Sequence, residues 1–314
     1  MTDKLPTIDL TGLASGDEAA LGRVAAEIGA ACREIGFFYV VNHGVAGELM
    51  RAAFAQSAAF FAAPLAQRQA LAIERVGGNR GYSGLRHEAL DPKRGADLKE
   101  AFNIGLDLAP GDPEILAGAP FRTLNVWPDL GEFRATMLAY FAACAGLAGA
   151  IHRAFARDLG LPLDFFAEKF DRPLATLRLL HYPASGGGGE IGAGEHTDYG
   201  NITLLATDEV GGLEARTRAG AWIAAPPLRS AFIVNIGDCL MRWTNDAYVS
   251  TPHRVVNRSG KERYSIAFFF DPNPQARVEA IPSCLKPGEA ARYAPILAGD
   301  YLRMRLDASR PAGA

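Results

Sequence analysis

Residues able to do chemistry gather in two short stretches of this chain. His196 and Asp198 stand two positions apart in Glu195-His196-Thr197-Asp198-Tyr199-Gly200, and His253 follows in Thr251-Pro252-His253-Arg254-Val255 after 54 intervening residues. Side chains on extended backbone alternate faces, so the spacing predicts that His196 and Asp198 lie on one face of a strand and can grip one metal ion. The intervening length accommodates several strands and turns that return His253 beside them. Two imidazoles and one carboxylate are the 2-His-1-carboxylate set, which leaves one side of Fe(II) open to small molecules and O2. Zinc accepts the same donors, which keeps a zinc-dependent hydrolase open as an alternative.

A second group lies ten positions past His253. Arg263 and Ser265 share one face of an apolar run from Arg263 to Phe270, and an arginine fork beside a hydroxyl suits a carboxylate held bidentately. Ile266, Ala267 and Phe268 follow Arg263, so its guanidinium is expected to face inward, where an unpaired charge is costly. No acidic residue stands two positions to either side on that run, and Asp198 is committed to the metal. An exogenous anion is therefore required, which argues against the zinc hydrolase. Alternation puts Ala267 and Phe269 on the same face and makes Phe269 a candidate pocket wall.

The elements that position these groups follow from periodicity. Leu5 to Leu10 reads as a strand, Glu18 to Ile35 as a helix with Leu21, Val24, Ala25, Ile28 and Cys32 on its buried face, and Phe37 to Asn42 as a buried strand. His43 ends that strand and reads as structural. Ala46 to Ala63 and Leu65 to Ile73 read as helices split by Pro64, Gly77 to Leu98 as a long loop, and Asp129 to Gly160 as the longest helix, with His152 as a packing residue. A short helix is expected at Leu163 to Phe170.

From Leu174 the period falls to two. Eight strands are expected: Ala175 to Tyr182, Glu195 to Leu205, Leu213 to Arg216, Trp222 to Ala224, Phe232 to Ile236, Cys239 to Trp243, His253 to Asn257 and Tyr264 to Phe270. Short runs punctuated by Gly, Pro and Asn-Asp turns predict a jelly roll, with Gly186 to Gly189 as a hairpin loop. A terminal helix over Glu289 to Leu306 packs outside it, and the tail from Ala308 to Ala314 is expected to fray. The fold class is mainly β with helices: a double-stranded β-helix core flanked by an N-terminal helical region and a C-terminal helix. We read residues 1–314 as one catalytic unit, with a mostly helical part at 1–173 packing on the barrel, the core at 174–271 and a C-terminal segment at 272–314.

Composition narrows the function classes. A net charge of −3 and a pI near 6.1 give no electrostatic case for nucleic acid. Cys32, Cys144, Cys239 and Cys284 have no paired spacing and read as free thiols of a reducing, cytoplasmic compartment. The stretch Met1-Thr2-Asp3-Lys4-Leu5-Pro6 has no apolar leader pattern, and no segment reaches about 18 uninterrupted apolar residues, so neither secretion nor a membrane is expected. Nothing in the sequence sets an oligomeric state.

The motifs, taken in order, resemble the isopenicillin N synthase-like branch of the iron(II)/2-oxoglutarate-dependent oxygenases. They are PTIDL at 6–10, GFFYVVNHGV at 36–45, RGYSG at 80–84, RLLHYP at 178–183, HTDYGNITLL at 196–205, GGLE at 211–214, IVNIGDCLMRWTN at 233–245, STPHRVVN at 250–257 and RYSIAFFFDPN at 263–273. The resemblance covers most of the chain. It implies Fe(II) on His196, Asp198 and His253, and 2-oxoglutarate chelating that iron while Arg263, Ser265 and Tyr182 hold its far carboxylate. Leu180 departs from the Asn that plant members carry in RLLHYP, so Tyr182 transfers more firmly than its neighbour. Ascorbate is a further candidate cofactor. The resemblance also implies that O2 and a small-molecule substrate react to give an oxidised product, succinate and CO2, and it puts Arg80, Tyr82, Glu100 and Asn103 near the substrate side. Isopenicillin N synthase and 1-aminocyclopropane-1-carboxylate oxidase keep Arg-x-Ser without 2-oxoglutarate, so a 2-oxoglutarate-independent iron oxidase is the alternative within this fold. The motifs do not name the substrate or choose among hydroxylation, desaturation and ring closure.

Overall fold

The computed structural model describes residues 4–91, 95–184 and 190–308. Its N-terminal part runs β1 (Thr7–Asp9), α1 (Glu18–Glu34), β2 (Phe37–Val41), α2 (Gly47–Ala62), α3 (Leu65–Ala70), α4 (Ile73–Val76), β3 (Gly81–Ser83), β4 (Glu100–Gly105), α5 (Pro113–Leu116) and α6 (Phe133–Asp158). There follow β5 (Thr176–Tyr182), β6 (Glu190–His196), β7 (Ile202–Thr207), β8 (Leu213–Arg216), β9 (Trp222–Ala225), β10 (Phe232–Ile236), α7 (Asp238–Trp243), β11 (His253–Asn257), β12 (Arg263–Phe270), β13 (Arg277–Val278), β14 (Ile296–Leu297) and α8 (Ala298–Ala308).

Two sheets face each other as the jelly roll requires: an eight-stranded sheet in the order β1-β2-β10-β7-β12-β5-β4-β3, and a four-stranded sheet in the order β6-β11-β8-β9. The outer face of the large sheet is fully apolar at Phe38, Val40, Leu204, Val234, Ile266 and Phe268, and it packs on helices through one large core. Helix α6 fills most of that layer. Its stripe of Phe133, Met137, Tyr140, Phe141, Cys144, Leu147, Ile151 and Phe155 is buried, and it packs against α1 and α2. By length and composition alone α6 could cross a membrane, with a mean hydropathy of 1.4 over its best 18-residue window. Here that apolar surface is spent on the core.

The inner face of the large sheet carries the polar groups. Residues directly opposite on antiparallel strands share a face, so the register lays them out in rows. One row is Asn235, Thr203, Phe269 and Thr176; the next is Ile233, Leu205, Ala267, Arg178 and Asn103; the third is Thr207, Ser265, Leu180 and Ala101; Arg263 and Tyr182 form a fourth.

Several expectations change. The N-terminal part does more than pack on the barrel, because β1 to β4 supply half of the large sheet. Strand β4 was hidden in mixed composition, and β3 interrupts the expected loop from Gly77. The expected strand from Glu195 to Leu205 breaks in two: β6 stops at His196, residues 197–201 turn, and β7 starts at Ile202. Cys239 to Trp243 is helix rather than strand, with Cys239, Leu240 and Trp243 buried in a helical rhythm; a short apolar run does not distinguish the two by composition. The terminal helix begins only at Ala298, since Pro295 disfavours helical backbone in the residue before it. Helix α3 stops at Ala70, where the Leu71 carbonyl accepts from the Tyr82 N–H, and the helix expected at Leu163 to Phe170 shrinks to one 3-10 turn at Ala167–Lys169. The loop expected at Gly186 to Gly189 and the tail from residue 309 lie outside the described residues.

His152 shows how the two layers are joined. It is fully surrounded, with its Nδ1 2.7 Å from the Ala148 carbonyl and its Nε2 2.8 Å from the Asn201 amide. Burial pushes its pKa down to about 4. A neutral ring donates from Nδ1 and accepts at Nε2, so the Asn201 NH2, otherwise without a partner among the described residues, is the group that belongs on Nε2. The unfolded chain takes up this proton near pH 6.5 and the folded protein does not, so the contribution of His152 to stability falls as pH drops from about 6.5 toward about 4. Asp271, raised to about 7 by burial, binds a proton over the same window and opposes it, so the total profile conceals the effect. A comparison with His152→Gln isolates it: the stability gap between wild type and variant, from denaturant unfolding, is expected to shrink by about 3 kcal/mol between pH 7 and pH 4. A gap independent of pH would contradict a neutral His152.

Candidate active site

The three expected metal ligands meet. Strands β6 and β11 pair with His196 directly opposite His253, and their rings lie 4.2 Å apart between centroids. Asp198 arrives from the turn after β6, so it reaches the site by loop geometry and not by strand alternation. Its Oδ1 is 3.8 Å from the Nε2 atom of each histidine, and one ligand atom from each residue falls within 4.8 Å of the others. Phe37 stands edge-on to His253 at 5.2 Å.

Hydrogen bonds behind the ligands fix which atoms face the centre. His196 Nδ1 donates to the Gly194 carbonyl at 2.8 Å and His253 Nδ1 to the Thr251 carbonyl at 3.1 Å, each two residues back along the chain. Both Nε2 lone pairs are therefore turned inward. Asp198 Oδ2 accepts from Thr203 Oγ1 and, at 2.7 Å, from Asn235 Nδ2. Its Oδ1 is left to the histidines. Three acceptors converge with no donor among them, an arrangement a cation completes. Burial, then the neighbouring His253, pushes His196 down to about 3, so its imidazole is neutral and able to ligate near pH 7. Burial alone would raise the Asp198 carboxyl; the hydrogen bonds from Asn235 and Thr203 oppose it, and the carboxylate form is favoured.

The expected anion site stands apart on the same floor. Arg263 is 0% exposed, its Nε donates to the Gly211 carbonyl at 2.6 Å, its Nη1 to Ser265 Oγ at 3.0 Å, and its guanidinium lies 4.7 Å from the centre of the Tyr182 ring. Its Nη2 is buried with no partner among the described residues. A buried cationic donor left unpaired costs several kcal/mol, and a carboxylate at this position removes the penalty. Gly192 permits the arrangement, because a Cβ there would sit 2.5 Å from the Tyr182 ring.

Of the candidate substrate-side residues, Phe269 and Asn103 face the interior. Asn103 is tied to Asn79 Oδ1 at 2.9 Å. Tyr82 and Glu100 lie on the opposite face of the sheet, where Glu100 joins Tyr82, Arg68 and His181 in a buried network beneath α2 and α3. Arg80 packs over Gly105 and donates to the Gly78 and Asn79 carbonyls. These three are not brought to the triad.

The structure adds residues that the sequence reading did not name. Arg178 occupies the Leu205–Ala267 row, with its Nη2 on Glu88 Oε1 at 2.5 Å. Lys99 Nζ bridges Asp97 and Glu88, and Asp97 Oδ1 accepts from the Gly194 N–H at 2.9 Å, two residues before His196. Arg178 and Lys99 outweigh the effect of burial and hold Glu88 down at about 2. Leu90 packs into the inner cluster, Asp91 abuts Gly194 and Asp97 holds the Gly194 N–H, so the described residues on either side of 92–94 lie against β6 and the inner face. Arg178 was findable: it lies four residues before Tyr182 and so on its face. Thr203 and Asn235 gave no signal, because their role depends on where the turn delivers Asp198.

Two imidazoles and a braced carboxylate at one end of a jelly roll, with a buried arginine donor at the other that has no partner among the described residues, define a non-haem iron oxygenase served by a carboxylate-bearing cosubstrate. The chain belongs to the 2-oxoglutarate-Fe(II) oxygenases: residues 173–272 match the family described as the 2OG-Fe(II) oxygenase superfamily, and residues 5–130 match the one described as non-haem dioxygenase in morphine synthesis N-terminal. It is 36% identical over 307 residues to the 2-oxoglutarate-Fe(II) type oxidoreductase hxnY of Emericella nidulans, covering 95% of this chain and 88% of that protein. The full-length Neurospora crassa T7H, in a crystal structure with alpha-KG, superposes with a TM-score of 0.87 at 34% identity, covering 98% of this chain and 96% of that one. Another T7H structure, with alpha-KG and thymine, gives 0.85 at 34%, covering 98% and 97%. The protein is thus an Fe(II)- and 2-oxoglutarate-dependent dioxygenase acting on a small molecule, and the zinc-hydrolase and 2-oxoglutarate-independent alternatives fall away.

If the bracing described here sets iron affinity, His253→Ala should abolish stoichiometric Fe(II) uptake under argon. Asn235→Ala, which touches no metal, should weaken it about tenfold by freeing Asp198. Equal affinity of Asn235→Ala and wild type in equilibrium dialysis would contradict the bracing.

Proposed function

We propose that the primary substrate is a small cyclic compound with carbonyl or carboxylate acceptors, oxidised while it lies on Phe269 and is held by Arg178. One observation carries this reading: Arg178 is the cation on the sheet floor whose Nε and Nη1 make no hydrogen bond with the described residues, although its Nη2 is anchored by Glu88. The register separates two paths from the metal ligands. Asp198 is braced by Asn235 and Thr203, so the ligands that would hold the iron converge beside their row. From there, one path leads past Leu205 to Ser265 and Arg263. The other leads across Phe269 and Ala267 to Arg178.

When bound, iron and 2-oxoglutarate supply the oxidation, in which the oxo-acid loses CO2 to become succinate and one oxygen atom of O2 is left for the substrate. The chain's own residues position and shield. Arg263 and Ser265 hold the distal carboxylate, Phe269 offers a flat apolar wall, and Arg178 donates to an acceptor on the substrate ring. Leu90 and the Glu88–Lys99–Asp97 ion pairs close the side of the barrel and keep water out. The likeness to T7H, crystallised with alpha-KG and thymine, supports thymine as the first compound to test. A cytoplasmic setting belongs to the same proposal, supported by the free thiols of Cys32, Cys144, Cys239 and Cys284.

The test is substrate-dependent succinate formation across thymine, 5-formyluracil, other carbonyl-bearing rings and apolar rings of similar size. Turnover is expected only with acceptor-bearing rings. Arg178→Met should lower kcat/KM for the best of them by roughly ten- to a hundredfold, the loss of about 1.5–3 kcal/mol from a charge-assisted hydrogen bond, while 2-oxoglutarate affinity stays within about twofold. An apolar ring turned over equally well by wild type and Arg178→Met would overturn the proposal.

A further inference from the structure

The turn that delivers Asp198 is held from outside the barrel. The carbonyls of Asp198, Tyr199 and Gly200 accept from the N–H groups of Asp238 and Cys239 at 2.8, 3.2 and 2.9 Å, so the first turn of α7, whose N–H groups lack helical acceptors, closes on the turn. Gly237 makes the approach possible: a Cβ there would lie 2.3 Å from the Gly200 carbonyl oxygen. The Asp238 side chain adds a second tie, because its Oδ2 accepts from Thr197 Oγ1 at 2.9 Å.

The same carboxylate oxygen is paired with Arg305, from the C-terminal helix α8. Arg305 Nη1 also donates to Tyr301 Oη at 3.0 Å, and its guanidinium carbon stands 4.3 Å from the centre of the Tyr199 ring. A single side chain thus meets Tyr199 directly and Thr197 through Asp238, the residues on either side of the ligand Asp198. It reaches neither the ligand nor the metal position. Helix α8 buries little else, chiefly Ala298, Gly299 and Tyr301 at its start, so Arg305 is its main link to the site. Asp238 is only 7% exposed at its side chain, and without Arg305 its charge would be left buried with a hydroxyl as its side-chain partner.

We propose that Arg305 is a positioning residue for the iron ligand Asp198: docking of α8 through Asp238, Thr197 and Tyr199 sets the pose in which the carboxylate meets the two histidines, so iron affinity is coupled to the C-terminal helix. The inference rests on the iron site derived above. It goes beyond it in giving a segment outside the barrel a part in metal binding.

The test measures Fe(II) dissociation constants under argon by chelator competition, at a temperature where circular dichroism shows each variant folded. Arg305→Gln is expected to weaken iron binding about tenfold, as loss of a ligand's supporting partner does, and Arg303→Gln, on the same helix, to stay within about twofold of wild type. In an Asp238→Asn background, which lacks the carboxylate that Arg305 pairs with, adding Arg305→Gln should change affinity by less than about twofold. A purely structural latch would lower the melting temperature and leave iron affinity unchanged. The proposal is overturned if Arg305→Gln binds iron like wild type, or if its effect is the same in the Asp238→Asn background. Should Arg305→Gln not fold, Arg305→Lys decides: it keeps the charge and loses the stacking on Tyr199, so a loss of about threefold or more supports the proposal and wild-type affinity overturns it. Wild-type protein that takes up no Fe(II) would instead sink the iron site itself.

Discussion

Three lone pairs aimed at one point, in a place with little water, are the constraint around which this protein is built. Nε2 of His196, Nε2 of His253 and Oδ1 of Asp198 are each turned inward by a hydrogen bond made behind them, to Gly194, to Thr251, and from Thr203 and Asn235. Such an arrangement repels itself until a cation fills it. Because the groups are pre-turned by backbone carbonyls and by the neighbouring strands, the strain is borne by the two sheets. That explains why the ligands come from strands locked in register and from a turn clamped by α7.

The second polar feature of the interior obeys the same logic with opposite sign. Arg263 is satisfied at Nε by Gly211 and at Nη1 by Ser265, and its Nη2 finds no acceptor among the described residues. One part of the inner face thus lacks a cation and another lacks an anion. A chelating dicarboxylate lying between them answers both. Arg178, Glu88, Lys99 and Asp97 form a third polar group whose charges already cancel, and what remains there is hydrogen-bonding capacity rather than net charge. This difference separates a cosubstrate site that demands an anion from a substrate site that selects by acceptor placement.

Much of this was legible in the sequence because it rests on alternation. Arg263, Ser265 and Phe269 fall on one face as period-two spacing requires, and the stripes of α1 and α6 are those the helical period predicts. What the sequence concealed depends on long-range contacts. His196 and Asp198 looked like strand neighbours, yet Asp198 sits on a turn whose shape is set by Asp238, Gly237 and Asp271, all far away in the chain. Cys239 to Trp243 is apolar enough for either period, and its helix is fixed by the carbonyls it caps. Tyr82 and Glu100 were placed near the substrate by resemblance, whereas the register of β3 and β4 turns both to the outer face. A strand's face cannot be known before its partner is.

The central claim is that the unpaired Arg263 donor and the three converging ligands are two ends of one 2-oxoglutarate site, and a single titration joins them. Iron-loaded protein under argon, titrated with 2-oxoglutarate and followed by the visible charge-transfer absorption that chelation produces, should saturate at one equivalent in wild type. Arg263→Lys keeps the charge and loses the fork, so its affinity should fall roughly ten- to a hundredfold, about 1.5–3 kcal/mol, with iron binding unchanged. No absorption band in wild type, or equal 2-oxoglutarate affinity in Arg263→Lys, would contradict the account.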